Sequence, residues 1–212
     1  MSGRTVLVTA GGTREPLDLV RFVGNRSSGR QGEALAAEAA ARGAAVTLVS
    51  AADRPAPPGV GLVRVETAAD MESAVLDRAG MADVVVMAAA VADFRPKASA
   101  VDKLRKADGV PDVVLEPTTD ILAELGRRRR PGQLLVGFAA EIGDVRAGAE
   151  RKLREKGLDL IVANDVTAPG AGFDHDTNAA TLLDGSGTWT DVAITTKRHL
   201  ARLVFDVVGG MI

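Results

Sequence analysis

The sequence predicts an α/β protein with a Rossmann-like, mostly parallel, doubly wound sheet that ends in a β-hairpin and a helix. Short apolar runs rich in β-branched residues alternate with helical segments along most of the chain. Such alternation is typical of right-handed βαβ units, whose parallel strands are covered by helices on both faces. The last part differs, because apolar and polar residues alternate on both sides of an Asp-Gly-Ser-Gly turn at 184–187. That pattern predicts a hairpin.

The first strand is predicted at Thr5–Ala10, a β-branched run that ends at Gly11 and Gly12. The same criteria predict further strands at Ala45–Ser50, Gly61–Glu66, from Ala82 onward, and at Val113–Glu116, Gln133–Glu141 and Leu158–Asp165. Helical spacing and stop signals predict helices from about Gly32 to Ala41, at Ala68–Gly80, after an N-cap at Thr118 or Thr119, at Asp144–Gly157 and after the hairpin.

Two of these helices have a clear apolar face. In the second helix the face is formed by Met71, Val75 and Ala79. In the last helix the predicted face is Leu200, Leu203, Val204 and Val207. Four arginines, Arg127–Arg130, close the third predicted helix, and we interpret them as a solvated helix end with a favourable charge for the helix dipole.

The length of 212 residues suits a single domain, residues 1–212, with a Rossmann-like core of about 1–165 and a hairpin extension of about 166–212. The net charge of −2 creates no global field that favours nucleic acid or an anionic membrane. No apolar run reaches the roughly 18 residues that a spanning helix needs. Because a strand begins at Thr5, we expect no signal peptide and a cytoplasmic location.

Missing residue types exclude several kinds of chemistry. The chain has no Cys, which excludes a thiol nucleophile and thiolate metal sites. It has no Tyr, which excludes the base of Tyr-dependent short-chain dehydrogenases. Its two histidines, His175 and His199, are too few for a metal site built from histidine. Any catalysis must therefore use charged, amide or hydroxyl side chains and the backbone.

The loops that follow predicted strands form one candidate site, because ligands of open α/β sheets bind beyond the carboxyl ends of the strands. The first loop, "AGGTREPLD", places Gly11 and Gly12 where the backbone can approach a phosphate closely. It contains neither the G-x-G-x-x-G fingerprint nor a Walker A motif. A turn built on structural glycines is the alternative interpretation.

The second loop, "RFVGNRSSGRQG", precedes a helix and is rich in polar groups. Ser27, Ser28 and Gly29 offer hydroxyls and free N–H groups at the helix N-terminus, an arrangement that binds phosphate. Simple capping by serine is the alternative. Capping, however, needs one serine and would not explain the nearby Arg21 and Asn25, so we predict an anion site.

The third loop, "AAAVADFRPK", continues into "DKLRK". The small residues Ala88–Ala90 would let a flat or bulky ligand lie against the backbone, and Asp93 can accept a hydrogen bond from an amine or a ribose hydroxyl. Lys103 and Lys106 can pair with phosphates. A solvated charge cluster is the alternative interpretation of these lysines.

A fourth group of residues lies further along the chain. Phe138 is predicted at a strand end, where an aromatic ring can stack on a base, although a core residue is the alternative. Lys152 and Lys156 are four residues apart and share one helix face, which a solvated surface would also explain. Together the four loops supply cations, glycine backbone and one Asp. This set suits the binding and polarisation of a polyphosphate, which Mg²⁺ normally accompanies.

The motifs "TAGGTREPLDLVRFVGNRSSGRQG", "AAAVADFRPK", "KLRK", "GFAAE" and "ANDV" occur in the order typical of phosphopantothenoylcysteine synthetase, so the whole chain resembles that family. The resemblance implies a Rossmann-like, Mg²⁺-dependent homodimer that acts in coenzyme A synthesis. The implied reaction joins L-cysteine to 4′-phosphopantothenate at the expense of CTP. An acyl-cytidylate forms first, and cysteine then displaces CMP. In many bacteria the domain follows a flavin-dependent decarboxylase in one chain, so this sequence is either freestanding or an excised part.

The resemblance also implies roles for individual residues. Asn25 corresponds to the Asn that acts in turnover of the acyl-cytidylate, Arg21 to an Arg near the dimer interface, and Lys103 to the Lys needed to form the intermediate. Ala89 corresponds to a sensitive small residue, and Asp93 to a nucleotide contact. The other implied nucleotide contacts are Thr119, Asp120, Ile121, Leu122, Phe138, Lys152 and Lys156.

Where this sequence departs from the family, it does so conservatively. "AGGT" stands where "GPT" is equally expected, and "KLRK" replaces the commoner "KIKK". The resemblance and the residues leave the Mg²⁺ ligands and the cysteine-binding residues unassigned. For the dimer, the C-terminal hairpin with Trp189 is a candidate interface element, and packing of that hairpin on its own domain is the alternative. We expect no nucleic-acid or membrane partner.

Two other function classes stay open on the residues alone. A nicotinamide-dependent oxidoreductase would suit the fold, but the absent G-x-G-x-x-G fingerprint and the absent Tyr count against it. A nucleotide-binding module without catalytic activity would use the same loops. Release of pyrophosphate with all co-substrates present separates the enzyme from such a module.

Overall fold

The structure is a computed structural model that describes residues 1–141, 143–165 and 175–212. Its strands are β1 (Thr5–Ala10), β2 (Arg14–Pro16), β3 (Phe22–Gly24), β4 (Ala45–Ser50), β5 (Val60–Arg64), β6 (Val84–Met87), β7 (Phe94–Pro96), β8 (Leu115–Pro117), β9 (Leu134–Glu141), β10 (Leu160–Asp165), β11 (Thr177–Asp184) and β12 (Trp189–Thr196). Its α-helices are α1 (Arg30–Ala41), α2 (Ala68–Ala79), α3 (Ile121–Arg128), α4 (Val145–Glu155) and α5 (Lys197–Gly209).

The main sheet confirms the predicted fold class. Within the described residues it has eight strands in the order β12-β11-β10-β9-β6-β1-β4-β5. The strands from β10 to β5 pair in parallel, and β11 and β12 pair antiparallel at one end. The predicted C-terminal hairpin is thus confirmed, and it continues the parallel sheet because β11 pairs with β10. Residues 166–174 of the predicted extension, including the last residue of "ANDV", lie outside the described residues.

Alternating side chains of the strands build a core on each face of the sheet. On one face Val6 and Val8 of β1 pack with Leu35 of α1 and Phe205 of α5. On the other face Leu7 packs with Met71 of α2, and the same cluster includes Ile121 and Leu125 of α3 and Ala149 of α4. Strands covered on both faces read as apolar runs, which is why the sequence revealed them. In the described part of the chain we find no helix that combines the length and the hydropathy of a membrane span.

The strand predicted at Val113–Glu116 is wrong as an element of the main sheet. The segment forms β8, shifted to Leu115–Pro117, and pairs only with β7 in a separate two-stranded hairpin. Leu115 is 45% exposed and Val114 is 62% exposed. Pro96 and Pro117 cannot donate to a ladder, so this short ribbon lies outside the sheet despite its apolar residues.

Two details of the predicted helices also need correction. The N-cap of α3 is Asp120, whose carboxylate accepts a hydrogen bond from Ala123 N at 3.0 Å, whereas Thr118 Oγ1 donates to Ala92 O at 2.5 Å. The buried face of α5 is Leu200, Ala201, Val204, Phe205 and Val208. Leu203 and Val207 are only half-buried. The prediction is thus correct for Leu200 and Val204. At Leu203 and Val207 it is wrong, because the helix buries Phe205 and Val208 instead.

The four arginines at the end of α3 are only partly a solvated helix end. Arg127 and Arg128 pair with Glu124 on the helix surface, as expected. Arg129 instead pairs with Asp159 at 3.1 Å, and Arg130 pairs with Asp83 at 3.0 Å. These two contacts tie the end of α3 to the residues just before β10 and β6.

Candidate functional site

A cavity of about 710 Å³ opens at the carboxyl edge of the sheet. Its wall is formed by the segment before α1, the residues after β6, the start of α3 and residues of α4, together with the ends of β9 and β10 and the starts of β11 and α5. The fold thus brings most of the predicted loops to one place, as expected for the carboxyl edge of parallel strands. The predicted site residues in the wall are Asn25, Ser27, Ser28, Gly29, Ala89, Asp93, Thr119, Asp120, Ile121, Leu122, Phe138, Lys152 and Lys156.

Asn25 reaches the cavity because a small hairpin, β2–β3, precedes α1 and directs the chain back across the sheet edge. Its amide Nδ2 donates a hydrogen bond to Val91 O at 3.0 Å. Gly12 packs against this turn, since a Cβ at Gly12 would lie 2.2 Å from Asn25 O. The sequence did not reveal this hairpin, because its strands have three residues each and little apolar alternation.

The N-terminus of α1 is open towards the cavity. Its N-cap is Gly29, with φ of 77° and no side-chain hydrogen bond to the first helical turn. Ser27 Oγ accepts from Gly29 N at 3.4 Å. The N-cap residue is thus a glycine, and neither Ser27 nor Ser28 occupies that position. A helix N-terminus that faces a cavity is a favourable place for an anion, because the N–H groups of its first turn point along the helix axis towards it.

Residues 88–92 are held against β1 and the loop that follows it. Thr9 and Thr13 are completely buried. Thr9 Oγ1 accepts from Ala88 N at 3.1 Å and Ala89 N at 3.0 Å, and Thr13 Oγ1 accepts from Ala92 N at 2.9 Å. Small side chains and satisfied backbone groups give this part of the cavity a smooth wall, which matches the expectation from the sequence.

The α3 and α4 side of the cavity carries paired charges. Lys156 Nζ lies 2.9 Å from an oxygen of Asp120, and Lys152 Nζ lies 2.7 Å from Glu141 Oε1. Burial acts to raise the pKa of Asp120, but the hydrogen bond from Lys156 and the one from Ala123 N outweigh it and lower the pKa. Both lysines are thus ion-paired within the chain, a state that a ligand phosphate would change by competing for them.

Four predicted site residues lie outside the cavity wall: Gly11, Gly12, Arg21 and Lys103. The two glycines allow close packing of the backbone, since a Cβ at Gly11 would lie 2.4 Å from Ala52 N. Lys103 is exposed on the segment that follows β7. The structure therefore does not place these four residues where they would touch a ligand in the cavity.

Arg21 and Asp18 instead hold the segment that carries Lys103. The buried Asp18 carboxylate accepts from Leu104 N at 3.0 Å and from Arg21 Nη1 at 2.5 Å. Arg21 Nη1 also donates to Leu104 O at 3.0 Å. Burial acts to raise the pKa of Asp18, but hydrogen bonds from the backbone of Val20, Arg21 and Leu104, and from the Arg21 side chain, lower it to about 2.

The wall also contains polar residues that were not among the predicted site residues, including Gln31, Asn164, Asn178 and Lys197. Asn164 belongs to the "ANDV" motif, and that was its signal in the sequence. Asn178 lies in β11 and Lys197 at the start of α5, and no motif in the sequence pointed to either residue. They are 6% and 7% exposed, and only the pairing of β11 with β10 brings them to the cavity.

Among the described residues, no group of three His, Cys, Asp or Glu side chains is arranged to hold a metal ion by itself. The acidic residues that we find in the described cavity wall are Asp93 and Asp120. One or two carboxylates are the usual protein share of a Mg²⁺ ion that is bound mainly by phosphates. The residues present thus fit a metal that arrives with a polyphosphate.

Residues 1–211 match the family described as DNA/pantothenate metabolism flavoprotein C-terminal domain. The chain is 46% identical over 220 residues to the coenzyme A biosynthesis bifunctional protein CoaBC of Mycobacterium bovis, with 98% of this chain and 52% of the relative covered. It is 46% identical over 199 residues to CoaBC of Bacillus subtilis, with 93% of this chain and 49% of the relative covered. The chain therefore spans about half the length of these curated relatives.

Solved structures resemble the fold over its whole length. The crystal structure of the C-terminal domain of a CoaBC protein is similar with a TM-score of 0.85 and 40% identity, over 100% of this chain and 96% of that one. A DNA/pantothenate metabolism flavoprotein from Streptococcus pneumoniae has the same fold, with a TM-score of 0.81 and 23% identity, over 98% and 99% of the two chains. These matches agree with the strand order and the C-terminal hairpin described above.

Proposed function

The chain belongs to the DNA/pantothenate metabolism flavoprotein C-terminal domain family, and on that premise we propose that it is a phosphopantothenate–cysteine ligase of coenzyme A biosynthesis. We propose that it uses CTP and forms an acyl-cytidylate intermediate. The observation that carries the proposal is the cavity, which combines a helix N-terminus, a wall of small residues and two lysines at the carboxyl edge of the sheet. The relatives from Mycobacterium bovis and Bacillus subtilis are coenzyme A biosynthesis proteins.

The first half-reaction activates a carboxylate. The carboxylate of 4′-phosphopantothenate attacks the α-phosphorus of CTP, the bond to the β-phosphate breaks, and pyrophosphate leaves. Cationic and N–H groups stabilise the charge that develops on the transferred phosphate. We assign the nucleotide to the α3 and α4 side, where Asp93, Lys152 and Lys156 lie, and a phosphate to the start of α1 with Ser27 and Ser28.

The second half-reaction forms the amide. The amine of cysteine attacks the acyl carbon, the bond to the α-phosphate oxygen breaks, CMP leaves, and the nitrogen loses a proton. Asn25 is assigned to the carbonyl region of the intermediate, and its contact with Val91 places its amide on the wall of small residues. No covalent bond to the protein is needed, which agrees with a chain that has no Cys or Tyr.

Mg²⁺ would enter with the triphosphate, and when bound it would neutralise charge on the phosphates. Asp93 is the carboxylate that we assign to it, because Asp120 is already paired with Lys156. This assignment gives Asp93 a role beside its predicted contact with the nucleotide.

We further propose that the chain works as a homodimer in the cytoplasm, and that a decarboxylase domain accompanies it when it is part of a longer protein. The hairpins β2–β3 and β7–β8 support the dimer, because Phe22 and Phe94 are each 55% exposed and Leu115 is 45% exposed. The two hairpins contact each other through β2 and β7, and apolar residues that are exposed together in one patch mark interaction surfaces. This location adjoins Arg21, which the resemblance places near the dimer interface, and is an alternative to the C-terminal hairpin.

The decisive experiment follows pyrophosphate in the presence of phosphopantothenate, cysteine, Mg²⁺ and either CTP or ATP. We expect release with CTP and little release with ATP. If neither nucleotide yields pyrophosphate, the ligase proposal fails. If NAD(P)H fluorescence rises on mixing while CTP has no effect, an oxidoreductase becomes the better explanation.

The variant Asn25→Asp tests the division into two half-reactions. The aspartate keeps the size of the side chain but cannot donate to Val91 O. We expect the first turnover to release pyrophosphate and the acyl-cytidylate to accumulate, with product formation reduced at least ~100-fold. Quenched samples separated by chromatography measure both species. Full product formation by Asn25→Asp would contradict the role assigned to Asn25.

A further inference from the structure

One corner of the cavity is built from three elements on the α1 and α5 side of the sheet. Gln31 lies in the first turn of α1, Asn178 near the start of β11, and Lys197 at the start of α5. Gln31 Nε2 donates to Lys197 O at 3.2 Å, and Lys197 N donates to Asp176 O at 3.0 Å. These bonds connect the three elements, so the corner is a built part of the wall.

Two acceptor oxygens in this corner are buried without a hydrogen bond. Within the described structure, neither Gln31 Oε1 nor Asn178 Oδ1 has a partner, and Asn178 is only 6% exposed. The orientation of the Gln31 amide is determined by its contact, because only its NH₂ group can donate to a carbonyl. A buried polar atom left unpaired costs about 1–3 kcal/mol, so native proteins rarely leave two in one place.

The missing partner must be a donor of hydrogen bonds. Phosphates and carboxylates are excluded as partners of these oxygens, because in their ionised forms they only accept. Among the three co-substrates of the proposed reaction, the α-amino group of the amino acid has three N–H donors on one small atom. It is therefore the donor that we match to these oxygens, while the proposed position of the nucleotide is on the side of the cavity with Lys152 and Lys156.

The surroundings also suit the chemistry of an amine nucleophile. The amino group must lose a proton before it attacks, and burial beside a positive charge lowers the pKa of an ammonium. Lys197, which is 7% exposed and lines the same corner, supplies that charge.

We propose that Gln31 and Asn178 form the subsite that binds the α-amino group of the amino-acid co-substrate. This inference rests on the proposed ligase function and adds the position of cysteine to it. It also divides the cavity, with the amino acid on the α1 and α5 side and the nucleotide on the α3 and α4 side.

The test compares Michaelis constants for each co-substrate in the wild type and three variants. Asn178→Leu removes both polar atoms at similar volume, and Gln31→Met does the same on α1. Each is expected to raise KM for cysteine about tenfold or more, the equivalent of one lost hydrogen bond to a charged group, with less than about twofold change in KM for CTP. Asn178→Asp keeps an acceptor and is expected to retain or lower KM for cysteine, because a carboxylate attracts an ammonium.

The matched control is Thr195→Val, which removes a polar atom from the residue that pairs with Asn178 in the hairpin but does not line the cavity. It is expected to leave all three KM values unchanged. The proposal is overturned if Asn178→Leu and Gln31→Met leave KM for cysteine unchanged, or raise KM for CTP or phosphopantothenate instead. It is also overturned if Asn178→Asp impairs cysteine as much as Asn178→Leu does, since that result indicates an anion in the corner.

The amino-acid subsite can be disproved while the ligase proposal stands. Wild-type protein that releases pyrophosphate establishes the reaction, whatever the Asn178 variants do. If Asn178→Leu does not fold by circular dichroism, Gln31→Met and Asn178→Asp still decide the question, because both replace side chains at the cavity wall without adding volume to the core.

Discussion

Two segments that follow β6 in the chain, residues 88–93 and residues 97–106, are held in very different ways. The first is bonded at Ala88, Ala89 and Ala92 to the buried hydroxyls of Thr9 and Thr13, and it lines the cavity. The second is hydrogen-bonded to the turn before β3 through the N–H of Ala100 and through the N–H and the carbonyl of Leu104. Its side chain at Lys103 is exposed and outside the cavity wall.

The comparison shows that different parts of the protein position the two segments of the proposed site. The sheet itself determines the shape of the wall, because residues 88–93 are extensions of β6 bonded to β1. The position of Lys103 depends on Asp18 and Arg21, which belong to a different loop. Removing the Lys103 side chain, loosening the second segment and loosening the first segment are therefore three separable experiments.

The largest effect is expected for Lys103→Gln. If Lys103 stabilises charge on the α-phosphate when substrates are bound, its loss reduces pyrophosphate release by about 100- to 1,000-fold, as for other electrostatic contacts to a transition state. Pyrophosphate release from CTP and phosphopantothenate without cysteine measures this step. Lys106→Gln, a neighbouring exposed lysine, is the control and is expected to retain most activity. Equal activity of Lys103→Gln and wild type would show that the second segment has no part in the reaction.

An intermediate effect is expected for Asp18→Asn. An amide has one acceptor oxygen, so it cannot accept from Val20 and Arg21 on one side and from Leu104 and the Arg21 guanidinium on the other. Displacement of the Leu104 peptide should reduce kcat for pyrophosphate release about tenfold, a smaller loss than that of Lys103 itself. Steady-state kinetics measure it, with KM for CTP as a check on nucleotide binding. An unchanged kcat would separate Lys103 from the Asp18 contact.

The same variant has a predicted pH signature. Since the pKa of Asp18 is about 2 in the folded chain and 3.8 is its ordinary value, the ionised carboxylate stabilises the fold above pH 4. That contribution is lost as the pH falls from about 4 towards 2, where the carboxyl becomes protonated. Thermal unfolding of wild type and Asp18→Asn should therefore differ at pH 7 and converge near pH 2. A difference that stays constant with pH would contradict the folded-state pKa.

The smallest effect on activity is expected for Thr13→Val, which loosens the first segment. The valine is similar in volume but leaves Ala92 N without its acceptor, at a cost of about 1–3 kcal/mol in the free energy of unfolding. Because other bonds still hold residues 88–91, we expect only a few-fold loss of kcat. Urea unfolding and kinetics measure the two effects, with Thr47→Val in β4 as the control substitution. A loss of activity larger than that of Asp18→Asn would reverse the comparison between the segments.

The sequence by itself determined the fold class, because strands buried on both faces must be apolar runs and their helices must have apolar faces. β1, β4 and the face of α2 at Met71, Val75 and Ala79 follow from this pattern alone. It also determined which loops meet, since parallel strands bring their carboxyl ends to one edge. The motif order further indicated the family to which the chain belongs.

Only the tertiary structure decided which of the polar residues face the cavity. Gly12 and Arg21 support the backbone of other segments, whereas Asn178 in β11 and Lys197 at the start of α5 reach the wall because β11 pairs with β10. These outcomes depend on contacts between residues far apart in the chain, which periodicity and spacing do not encode. The same reason explains why the strand predicted at Val113–Glu116 was mistaken for part of the sheet. Its local pattern is apolar, but its exposure and its pairing with β7 alone follow from where the chain lies.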